Sequence, residues 1–167
     1  MIASYVDTFN GLPLHPLVVH AAVILTPLAA LLALGLVRPS WRMRLRWPVA
    51  IVVLAAWLLV WLARGSGTAL EHSDSISGQM RSAPALAELI HRHEDLANRL
   101  NTVLFTLVVV SVLFAWLLPK LPRAAGAVGA VVIAVLAVLV IGLVAQTGDV
   151  GGRAAWNPDG SQNYSVK

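Results

Sequence analysis

Four apolar runs dominate the chain: Leu17 to Val37, Trp47 to Ala63, Leu96 to Leu118 and Ala124 to Ala145. None has an ionisable residue in its central portion, and crossing the hydrocarbon of a bilayer takes about 20 predominantly apolar residues as helix. Each run therefore predicts a membrane-spanning helix, and together they predict an all-α, four-span bundle. The second run is the shortest. It is expected to stand nearly upright, with Trp47, Trp57 and Trp61 as packing and interface residues. The third helix is expected to begin before its apolar part, because Ser82 can cap it and Pro84 suits a first turn. This divides the chain into an N-terminal segment, 1–16, a helical domain, 17–145 (17–37, 47–63, 84–118 with an extension outside the membrane, and 124–145), and a polar tail, 146–167.

Composition agrees with the pattern. The chain is 58% hydrophobic and 12% charged, against about a quarter charged in a soluble domain. The net charge of +4 becomes informative once it is divided between loops. Arg38, Arg42, Arg44 and Arg46 separate the first two runs, and Lys120 and Arg123 the last two, with no acid among them. Short loops rich in Lys and Arg stay in the cytoplasm. Both termini and the connection between helices two and three, with all eight acids, are then expected outside it. The basic surplus is thus a topology signal and argues against nucleic acid as a partner. Residues before Pro16 contain no Lys or Arg, so the first helix is expected to be a retained span and not a cleaved signal. The chain has no cysteine, which excludes disulfides, thiolate catalysis, Cys-ligated zinc and covalent c-type haem attachment.

The same division places all five histidines on the outer side. His15 and His20 stand at the start of the first helix, His72 in the outer connection, and His91 and His93 before the third apolar run. Leu86, Leu89, Ile90, His93, Leu96, Ala97 and Leu100 recur at spacings of three and four, which puts His93 on the bundle-facing stripe. His91, two residues away and turned by about 200°, is expected at the surface. An inward ionisable residue in a membrane bundle marks a functional site by default.

The run Leu14-His15-Pro16-Leu17-Val18-Val19-His20, with Pro27 further along its helix, resembles the opening of a bacterial family of four-helix membrane proteins of unknown function, the domain of unknown function 2231 group. Some of its members are linked to Rieske iron–sulfur domains. Glu88 to Leu96 and Thr147 to Gly152 fit the same family, so the likeness touches the first, third and fourth spans. Here Ala21 and Ala22 follow His20, where the family usually has an aromatic residue and proline. The resemblance implies a multi-pass protein of the bacterial inner membrane with a redox neighbourhood.

Two imidazoles from different helices can ligate a haem iron axially, and a four-helix bundle is a common way to present them. His20 and His93 are the expected pair for a b-type haem serving electron transfer. Gly126, Gly129 and Gly142 can give room for the macrocycle or simply pack helices. The alternative is a copper or zinc site drawn from His15, His20, His72 and His93, with Glu71, Asp74 or Asp149 as carboxylates. No hydrolase, phosphate-binding or nucleophile-elbow motif is present, so independent hydrolase or transferase activity is not expected. No intramembrane charge offers an ion path. A last alternative is an accessory subunit of a larger membrane respiratory complex. The expected partners are the lipid bilayer, a redox protein or such a complex, and further copies of the chain.

Overall fold

Two proline-marked turns at one end of the molecule determine how the helices pair. A computed structural model describes residues 8–10 and 12–161. A two-residue antiparallel pairing, β1 (Thr8–Phe9) with β2 (Leu12–Pro13), precedes the helices. α1 (Leu14–Leu34) tightens into a 3-10 turn at Gly35–Val37, Arg38 is extended, and α2 (Pro39–Glu71) starts on proline. A proline there has no N–H to leave unpaired and a φ already suited to the helix. The second turn repeats the device. α4 (Pro84–Leu117) ends in a 3-10 turn at Leu118–Lys120, and Pro122 precedes α5 (Arg123–Trp156). Between the two hairpins lies a short helix, α3 (Asp74–Ser82).

The chain is thus almost entirely helical, with four long apolar helices able to cross a membrane. α1 packs on α2 and α5, and α4 packs on the same two, so α1 and α4 lie diagonally across the bundle. Its interior combines small side chains with larger apolar ones, Leu36, Leu104, Leu107 and Ile133 among them. Ala29, Ala30, Ala33, Ala56, Ala130 and Ala137 are fully buried, whereas Ile24, Ile51 and Val128 are more than 60% exposed. Water cannot drive such an arrangement. Close backbone approach at the alanines and van der Waals contact hold it, with many other large apolar side chains on the outer surface. Gly129 is part of this packing: a Cβ there would lie 2.8 Å from the Phe114 ring.

Two expectations change in detail. The run 47–63 is the middle of a much longer helix, 39–71, so Arg42, Arg44 and Arg46 belong to the first turns of α2 and not to a loop. Arg42 folds back on the turn, donating from Nε to the Leu36 carbonyl and from a terminal nitrogen to the Val37 carbonyl. Those carbonyls end a helix and have no later N–H to accept from. Ser82, expected as the cap of the third helix, is instead the last residue of α3. Its hydroxyl donates to the Gly78 and Gln79 carbonyls, and Ala83 occupies the cap position. Ser73 is the side-chain cap, accepting from the Ile76 N–H at the start of α3. Of the N-terminal segment and the polar tail, residues 1–7, 11 and 162–167 lie outside the described residues.

At 1.5 Å per residue, a helix of 33 or 34 residues is about 50 Å long, against about 30 Å of hydrocarbon. α2, α4 and α5 therefore outrun their apolar stretches, and 64–71, 84–95 and 146–156 do so at the end opposite the two turns.

Candidate functional site

Two imidazoles meet at that extended end. His15 in the first turn of α1 and His93 in α4 lie with ring centroids 6.4 Å apart and planes at 87°. They come from the diagonal pair of helices, so they face each other across the bundle axis. Both are half-buried.

Each ring is seated by the other helix of its own hairpin. His15 Nδ1 lies 2.9 Å from the Ala63 carbonyl of α2, and His93 Nδ1 lies 3.0 Å from the Thr147 carbonyl of α5. A carbonyl only accepts, so in both rings Nδ1 carries the hydrogen. In the neutral imidazole Nε2 is then left with a free lone pair. A glycine one helical turn further on makes room for each ring. A Cβ on Gly67 would come within 3.0 Å of His15 Cε1, and one on Gly151 within 2.9 Å of His93 Cε1.

The two seats are built to one measure. Ala63 and Thr147 each stand 24 residues beyond the first residue of their helix, Pro39 or Arg123, and Gly67 and Gly151 each stand 28 beyond it. The bundle thus presents two matching imidazoles on two matching hairpins.

His20 is not part of this meeting. Five residues of helix turn it about 140° from His15, so both cannot face inward. His20 is exposed, and its Nδ1 bonds the Pro16 carbonyl of its own helix. His72 is exposed in the same way, with Nδ1 on the Thr68 carbonyl. Asp149 pairs with Arg153 at 3.1 Å on the surface of α5, and Asp74 sits in the first turn of α3. The four histidines of the copper or zinc alternative are therefore not gathered at one place. Gly126 and Gly129, near the start of α5, pack against Leu118 and Phe114, and Gly142 has open space before it.

A second group brings Glu71, a carboxylate of that copper or zinc alternative, together with Glu94 and with His91, which was expected at the surface. Ligand atoms of Glu71, His91 and Glu94 all lie within 4.8 Å of one another, a spacing that can hold a metal ion. His91 Nδ1 is 3.8 Å from Glu71 Oε1. Among the described residues no third His, Asp or Glu joins His15 and His93 in such a group.

Sequence reasoning missed Gly67 and Gly151 as seats for the histidines. The available signal was a glycine at nearly the same distance beyond a turn proline in each hairpin, 28 residues from Pro39 to Gly67 and 29 from Pro122 to Gly151. No family model, curated protein or solved structure matches the chain.

Proposed function

We propose that this protein is an electron-transfer component of the membrane that holds a redox centre, b-type haem in first place, between His15 and His93. The observation that carries the reading is the pair itself: two imidazoles from diagonal helices, each with Nδ1 committed to a backbone carbonyl and Nε2 free. Donation of the remote ring N–H to a carbonyl is the usual outer support of a metal-bound histidine, since it fixes the tautomer and raises basicity. The spacing agrees as well. Two metal–imidazole bonds of about 2.0–2.1 Å, plus about 1.1 Å from each nitrogen to its ring centre, sum to about 6.3 Å, beside the 6.4 Å observed.

The size of the donor set selects among occupants. A zinc or copper ion bound by protein alone asks for three or four ligands. A haem brings four equatorial nitrogens and asks the protein for two axial ones. Two imidazoles without a third donor suit the second. Bound there, haem would supply one-electron chemistry, and the chain's own groups would orient the rings and set their basicity.

In this reading the imidazole end faces outward from a bacterial inner membrane, supported by the Lys and Arg residues at the two turns through the positive-inside rule. Membership of the four-helix family that the His-Pro-x-x-x-His opening resembles belongs to the same proposal. A visible spectrum of the protein purified in detergent after growth with haem supply tests the reading. A Soret band and a sharp α band on dithionite reduction are expected. Their absence sinks the haem assignment, and metal analysis of that sample then separates a copper centre from an accessory subunit whose histidines only tie helices together.

A further inference from the structure

The pair of imidazoles leaves a second cluster unexplained on the other side of α4. Glu71 is the last residue of α2, and His91 and Glu94 are three apart on α4, hence neighbours on one helix face. Their ligand atoms converge within 4.8 Å in the part of the bundle that extends past the apolar runs.

This convergence brings two carboxylates together at a helix end. A carboxylate at a helix C-terminus faces the negative end of the helix dipole, and Glu71 closes α2 with its side chain only 18% exposed. Glu94 adds a second negative charge close by. Basic residues are plentiful in this region, Arg64, Arg81, Arg92 and Arg99 among them. Yet among the described residues the ion pairs are His91 with Glu71 and Arg153 with Asp149, so no arginine neutralises either glutamate. Two carboxylates and one imidazole, drawn from two helices with no arginine paired to either glutamate, have the composition of a divalent-cation site.

We propose that Glu71, His91 and Glu94 bind a divalent transition-metal ion, zinc in first place, as a site separate from the His15–His93 pair. Mixed imidazole and carboxylate donors suit zinc and its neighbours better than calcium or magnesium, which take oxygen ligands alone. Three protein ligands leave a coordination position for water, the arrangement of an open zinc site. Bonds of about 2.0–2.2 Å draw the three donors somewhat closer than they stand, a movement within reach of glutamate rotamers. Bound metal would clamp the end of α2 to α4 beside the histidine end of the bundle.

The test uses the full chain in detergent, purified without a histidine tag, stripped with chelator and desalted, then titrated with Zn2+ or Co2+. One zinc per chain is expected with a Kd tighter than about 10 μM, together with a cobalt visible spectrum of low-symmetry, nitrogen- and oxygen-ligated type. His91→Ala and Glu71→Gln should each weaken binding at least tenfold, while helicity by circular dichroism is unchanged. The double variant His15→Ala/His93→Ala should bind zinc as the parent does. Unchanged affinity in His91→Ala, or a parent Kd weaker than about 1 mM, overturns the site. Loss of zinc in the double variant also overturns it, by assigning the ion to the imidazole pair.

Discussion

The α1–α2 and α4–α5 hairpins are alike where they turn and where they hold a histidine, and unlike in what comes before that histidine. In both, a helix tightens to 3-10, a proline follows, and the returning helix offers a carbonyl and a glycine at the same distance along its length. Each turn also stacks a cation on a tryptophan, Arg38 on Trp41 and Lys120 on Trp116. Before its histidine, however, the first hairpin has a single residue of helix, while α4 has nine and is preceded by α3. Of the features that occur twice, the seated histidines converge on the bundle axis. Those that occur once, the Glu71–His91–Glu94 group and α3, lie beside it. The imidazole pair is thus a property of the fold's two-fold repetition, whereas the Glu71–His91–Glu94 group occurs once and joins one hairpin to the other.

The largest effects should fall on the repeated features. If the two histidines are equivalent axial ligands, His15→Ala and His93→Ala should each abolish the low-spin haem spectrum, and to the same extent. His20→Ala and His72→Ala should leave it intact, because those rings bond to their own helices. Retention of the spectrum in His15→Ala together with its loss in His20→Ala would restore the pair expected from sequence and break the symmetry.

How much of this was legible beforehand depends on the kind of signal. The four spans and the all-helical fold follow from apolar run length, because a bilayer leaves few other solutions. The inward direction of His93 follows from its stripe, since the residues that flank it are apolar at three- and four-residue spacings. The partner of His93 did not follow. His15 precedes a proline at the edge of the first apolar run, and nothing local shows that α1 already starts at Leu14. The sequence places His91 at the surface, and it is exposed. What its neighbours on α4 could not reveal is that α2 continues eight residues past Ala63 to bring Glu71 beside it. Both omissions concern helix ends, where hydrophobic periodicity fades and tertiary contact decides.

The glycine seats come next in size. Alanine at Gly67 or Gly151 places a methyl group 3.0 or 2.9 Å from an imidazole carbon. Overpacking of this kind costs about 1–3 kcal/mol, and the better helix propensity of alanine offsets about 1 kcal/mol of it. Each variant should lose haem affinity at least tenfold, with a modest fall in thermal stability in detergent. Gly129→Ala presses on Phe114 near the start of α5 instead. It should lower stability similarly and leave the spectrum unchanged, which separates seating of the histidines from packing of the bundle.

Arg42 tests the turns. It ties the Leu36 and Val37 carbonyls in the first hairpin, and no arginine does this in the second. Arg42→Ala should cost roughly 1–2 kcal/mol, measured as a fall in thermal midpoint, with haem content retained. A loss of haem would show that the turn at one end governs the imidazole spacing at the other.

The smallest effect is expected at Asp149, and the two hairpins say why. Asp149 stands 26 residues beyond Arg123, and the residue 26 beyond Pro39 is Gly65, which has no carboxylate to offer. Its partner Arg153 corresponds in the same way to Ala69. The ion pair therefore exists in one hairpin only, at the surface, with both side chains more than half exposed. Such i,i+4 pairs contribute about 0.3–0.5 kcal/mol. Asp149→Asn should shift thermal stability by no more than that and leave the haem spectrum and zinc stoichiometry as they were. A spectral change on this substitution would mean that the environments of the two imidazoles differ in a way their matching seats do not reveal, and that the second hairpin alone tunes the centre.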